Sequence, residues 1–153
     1  MGFSVSSGWE DNGAFSHISN AITSLREVFT FKPSGSDFNV FSWENSDPSQ
    51  IAIKLIDQLF FIDSYYETIT FLKSNHHLLS IILSAYLEIQ KRFEGSFSLK
   101  LELDSEEDML YLLIISNNDS DTAYKNLDTL DQEWWIHNVN KSKGKMNIDL
   151  ELE

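Results

Sequence analysis

The sequence predicts an α+β fold: a small mixed sheet of three to four strands packed against several helices. At Gly95 the spacing of apolar residues switches from a period near 3.6 to a period of 2. Two strand-like runs then face each other across "DSEED" (Asp104 to Asp108), a link of hairpin length. A helical stretch separates them from a last alternating run, and such a strand–helix–strand crossover brings that run back parallel.

In chain order, residues 1–45 read as an irregular N-terminal arm, and 46–153 as a single α+β domain. The arm opens on "MGFSVSSGWEDNGAFS", rich in Ser and Gly and without a sustained period. Ile18, Ile22, Leu25 and Phe29 suggest one short amphipathic helix in it, and "FNVFSW" (38–43) is a candidate extra strand. Asp47–Pro48 pairs an N-cap with a proline at the first helical position, opening a helix to about Phe61. Ser64 with Glu67 has capping-box spacing and predicts a second helix. Asn75 is the expected cap of a third, from His76 to about Phe93, whose Leu78, Leu79, Ile82, Ala85, Tyr86, Ile89 and Phe93 form an apolar stripe.

Beyond Gly95, Phe97, Leu99, Leu101 and Leu103 alternate with Ser98, Lys100 and Glu102, as in a half-buried strand. "MLYLLII" (109–115) is apolar throughout and predicts a central strand buried on both faces. Asn118 or Asp119 then caps a helix expected to run through about Asn140. After Gly144, Met146, Ile148, Leu150 and Leu152 alternate with polar residues as a last strand.

Charge narrows the functional classes. The formal net charge is −13, and residues 94–153 hold 14 acids against 5 bases, or −9. Nucleic-acid affinity rests on Lys and Arg neutralising phosphates, so no nucleic-acid partner is expected. A basic protein partner suits the charge, because complementary potentials speed encounter. No apolar run reaches the roughly 20 residues of a membrane span, so no membrane partner is expected. The absence of cysteine excludes disulfides, thiolate nucleophiles and zinc–thiolate sites, and suits a cytoplasmic location.

No cofactor, metal or catalytic residue is predicted. The six glycines fit neither G-x-G-x-x-G nor a P-loop. His76 and His77 are adjacent, so on a helix their side chains diverge by about 100°. Glu133 and His137 have i, i+4 spacing, which a helix-surface pair explains as well as a ligand pair does. "DSEED" gathers four carboxylates but lacks the alternating ligands and glycine of a calcium loop, so a solvated hairpin tip is expected.

Binding residues are sought instead on the helix from 119. At about 100° per residue, Ala123, Leu127, Leu130 and Trp134 fall in one stripe about 60° wide. Trp134 is therefore expected in the core. Trp135 lies about 100° further round, beside Tyr124 and Val139 and flanked by Asp128 and Asp131. There it is either a boundary residue packing on a neighbouring helix or an exposed anchor for a partner, since tryptophan is enriched at interface hot spots. Trp135, Tyr124, Asp128, Asp131 and Val139 are accordingly the candidate partner-binding residues.

The C-terminal half resembles a family of small uncharacterised bacterial proteins marked by an "AYxxIxKxF" helix, an apolar hairpin and a "FDEEWWL…GKLxIxLE" ending. Ala85, Tyr86, Ile89, Lys91 and Phe93 match the first motif; Asp131, Glu133, Trp134, Trp135, Gly144, Lys145, Ile148, Leu150 and Glu151 match the last. The match covers roughly residues 76–153 and departs at Leu130 and Gln132, where the family has Phe and Glu. Members are often encoded beside toxin genes, so the resemblance implies an antitoxin-like role. The expected function is an acidic protein-interaction module binding a basic partner. The alternatives are a structural homo-oligomer formed through the last strand or the Trp135 face, and a hydrolase using acids with His137 or His76.

Overall fold

The computed structural model describes residues 47–153. The expected arm, its short helix and the strand at 38–43 lie outside the described residues.

Helix α1 (Pro48–Leu59) starts where the sequence places it. The Asp47 carboxylate accepts from the Ser49 amide at 3.0 Å and Pro48 occupies the first turn. It buries Ala52, Ile56 and Leu59 and ends two residues before the expected boundary. The aromatic, β-branched run Phe60–Phe61–Ile62 favours extended backbone. Phe61–Ile62 accordingly form a short strand β1, parallel to β2 (Phe97–Asp104), and supply the fourth strand.

Helix α2 (Tyr65–Ser74) is entered without the expected capping box. Ser64 turns the chain out of β1 with φ 50°, left-handed, and its side chain caps nothing. The buried Thr68 holds the first turn instead, its hydroxyl donating to the Asp63 carbonyl at 2.8 Å. Asn75 closes α2 rather than opening the next helix: its side-chain amide donates to the Phe71 carbonyl at 2.9 Å. Helix α3 (His77–Arg92) buries the predicted stripe and also Ile81 and Leu83, so it lies at the centre of the core.

Strand β2 pairs antiparallel with β3 (Met109–Ser116) from Phe97↔Ser116 to Asp104↔Met109. At the hairpin tip the Asp104 carboxylate accepts from the Glu106 and Glu107 amides at 3.0 and 3.1 Å. β3 departs from its expected burial on both faces. Leu110, Leu112 and Ile114 are fully buried, whereas Tyr111, Leu113 and Ile115 are only half-buried. Among the described residues the core packs on the first face. On the second, Lys100 lies across from Leu113 and forms ion pairs with Glu102 and Glu151.

Helix α4 (Ser120–Glu133) starts at Asp119, whose carboxylate accepts from the Thr122 amide at 3.3 Å. It stops at Trp134, well short of Asn140, and two 3₁₀ turns, Trp135–His137 and Val139–Ser142, carry the chain onward. The last α4 turn has no cation and contains Asp131 and Glu133, the wrong sign for a helix C-terminus. The Asn138 side chain takes the Trp134 carbonyl at 2.7 Å, supplying an alternative to helical continuation.

This early stop reverses the expected roles of the tryptophans. Trp134 leaves the helix at φ −132° and is half-buried, while Trp135 turns inward and is only 5% exposed. Lys143 and Gly144 then make a left-handed turn at φ 56° and 72°. It leads into β4 (Met146–Leu152), parallel to β3 with Leu110 opposite Met146. Among the described residues the mixed sheet has the order β1–β2–β3–β4, and with the four helices there it makes the fold α+β. No described helix is long and apolar enough to cross a membrane.

Candidate functional site

Tyr124, Asp128, Asp131 and Trp135 are spaced i, i+4, i+7 and i+11. The first three therefore follow one side of α4, and the inward turn after Trp134 brings Trp135 beneath them. Together they line a cavity of about 240 Å³ between α4 and β4. Leu127 and Leu130 of α4 and Ile148 of β4 complete its lining. Leu130 is 1% and Ile148 8% exposed, so these side chains and Trp135 form an apolar floor continuous with the core.

At the mouth, Tyr124 is 54% exposed and Asp128 is exposed, while Asp131 is half-buried. Carboxylates three residues apart on a helix have Cβ atoms about 5–6 Å from each other. Neither Asp128 nor Asp131 pairs with a described cation; Lys125, the only cation of α4, is exposed and bonded to neither. The site thus joins an apolar floor, an accessible phenol and two carboxylates that have no ion-pair partner among the described residues.

Four of the five candidate residues come together in this way. Val139 does not: it sits in the second 3₁₀ turn, 36% exposed, and is no part of the cavity lining. Trp135 meets the cavity from below, as a core residue, and not as the boundary residue or exposed anchor its place on an ideal helix predicts. Its indole lies 5.8 Å from that of Trp134, the planes tilted by 31°.

A second concavity, of about 490 Å³, lies between α3 and the 3₁₀ turns, with Trp134, Glu88 and Lys141 in its walls. Glu88 and Arg92 beside it form a network whose i, i+4 spacing was visible in the sequence but whose third member was not. Arg92 donates to Glu88 at 2.8 Å and to Glu133 at 3.0 Å. Burial alone would raise the Glu88 pKa, but hydrogen bonds from Arg92 and Lys91 outweigh it and hold the carboxyl below its ordinary range. Arg92 is pulled down by burial and, more strongly, up by its bonds to Glu88 and Glu133. Every member of this network is neutralised within the fold, which makes it structural.

The described histidines do not converge. His76 and His137 are exposed, and His77 Nε2 lies 3.0 Å from the Ser142 carbonyl, tying α3 to the second 3₁₀ turn. Glu133 and His137 lose their helical relation because α4 ends between them. Among the described residues no three His, Asp or Glu side chains are grouped to hold a metal ion. No protein-family model, no curated protein and no solved structure matches the chain.

Proposed function

We propose that the chain is an acidic protein-interaction module that takes a basic protein partner on the α4–β4 face. The observation supporting this most directly is the cavity itself, where Tyr124, Asp128 and Asp131 stand over an apolar floor that includes Trp135. Carboxylates at the cavity mouth raise the encounter rate with a positive partner, and an apolar floor beneath them slows its departure. In its most specific form the role is antitoxin-like, masking a basic toxin; that form rests on the motif resemblance.

Self-association is the poorer reading, since two copies each at −13 repel. The experiment is capture of partners on the full chain from its native extract, then titration of the purified partner against the chain and its Asp128→Asn/Asp131→Asn variant. The expected partner is basic, binds less tightly as salt rises, and loses roughly tenfold or more in affinity with the variant. A neutral or acidic partner, or one indifferent to the double substitution, would remove this function.

A further inference from the structure

We infer that the α4–β4 cavity is an arginine receptor: it takes one guanidinium side chain projecting from a basic partner. This rests on the α4–β4 face being the docking surface and adds the chemistry of what enters it.

Size selects a side chain over a free ligand. At about 240 Å³ the cavity falls below the roughly 300–1,000 Å³ usual for small-molecule sites. The floor of Leu127, Leu130 and Ile148 offers apolar surface to a methylene stem. Above it, Asp128 and Asp131 stand one helical turn apart, a separation that the several N–H groups of a planar guanidinium can bridge. Tyr124 supplies an exposed aromatic face at the mouth beside that position, while Trp135 adds to the floor, and a guanidinium stacks on such a face where an ammonium is a compact, strongly hydrated point charge. Arginine therefore satisfies all three parts of the cavity, whereas lysine satisfies the stem and one carboxylate. A neutral side chain would bring no charge to either carboxylate.

The test uses the full chain, isotopically labelled, and three probes: acetyl-Ala-Arg-Ala-amide and its lysine and citrulline counterparts. Citrulline keeps the shape of arginine and removes the charge. The arginine peptide is expected to saturate with a Kd near millimolar, about −4 kcal/mol. It should shift the Trp135 indole N–H and the Leu127 and Ile148 signals. Lysine should bind about threefold or more weakly and citrulline about tenfold or more weakly. Asp128→Asn/Asp131→Asn and, separately, Tyr124→Ala should weaken the arginine peptide. Both alter exposed or half-exposed groups, and an unchanged remainder of the spectrum verifies folding.

Absence of a saturable shift, equal binding of citrulline, lysine matching arginine, or shifts lying elsewhere would each overturn the proposal. Its failure is separable from that of the docking face. If a basic partner binds through Asp128 and Asp131 while the arginine peptide leaves Trp135 unmoved, the receptor falls and the face stands. If the peptide binds but no basic partner is found, the reverse holds.

Discussion

Trp134 and Trp135 are neighbours in sequence with unequal mechanical roles. Trp135 is 5% exposed and touches both the core and the cavity floor, so Trp135→Ala removes packing on two sides. Truncating a buried tryptophan costs about 3–5 kcal/mol, a large share of the stability of a small domain. Trp134 is half-buried, and Trp134→Ala should cost about 1–2 kcal/mol from the smaller area removed from water. Urea unfolding of the two variants measures this; equal midpoints would refute the division. Glu88 sets a second test. Its pKa is lowered in the fold, so its contribution to stability is complete above the unfolded value, about 4.3, and is lost as pH falls through the lower folded one. The stability gap between the wild type and Glu88→Gln should therefore be full at pH 7 and close in acid below pH 4. A gap that is constant across this range would show that the carboxylate charge contributes nothing.

At the scale of elements, β4 is the edge strand of the sheet formed by the described residues, and it resists pairing. Its odd residues face β3, since Lys145 accepts from the Leu110 amide and the Glu153 amide donates to Ser116. The backbone groups of Ile148 and Leu150 therefore point to the open edge. Two of those donors are already engaged, the Ile148 amide by Asn147 Oδ1 at 2.9 Å and the Leu150 amide by Asp149 Oδ1 at 2.8 Å. Side chains that occupy edge donors, one of them charged, discourage strand addition. Asn147→Thr/Asp149→Thr frees the donors and raises strand preference. Sedimentation of this variant should reveal stronger concentration-dependent self-association than the wild type shows; a variant indistinguishable from the wild type would mean the caps do not guard the edge. Elements are also where the sequence was most legible. The stripe on α3, the Asp47 and Asp119 caps and the period-2 runs of β2 and β4 are local signals, and each is found in place. The end of α4 was not legible, because it depends on Asn138 reaching back to Trp134 and on Trp135 finding the core, and no local period encodes either. That one boundary decided the tryptophan roles. Tyr124, Asp128 and Asp131 still fall on one side of α4 because they lie before the boundary and depend only on helical spacing.

For the whole molecule, charge acts on folding and on binding with opposite dependence on salt. The described residues carry 19 acids against 9 bases, and their six ion pairs engage only Arg92 and three lysines with five acids. The remaining acids repel one another across the surface. Salt at 0.1 M screens exposed charges beyond about 10 Å, which relieves this repulsion while leaving the shorter contacts of the Arg92 network largely intact. Raising NaCl from about 10 to 200 mM should therefore raise the thermal midpoint by roughly 2–4 °C, the equivalent of about 1 kcal/mol in a chain of this size. The same screening weakens attraction between Asp128, Asp131 and a cationic probe, so affinity for the arginine peptide should fall over the same range. Calorimetry and peptide titration in matched buffers check both halves. A midpoint that drops with salt would mean that the few ion pairs outweigh the surplus of acids. An affinity that does not drop would mean that the cavity binds its ligand by its apolar floor alone, with the two carboxylates as bystanders.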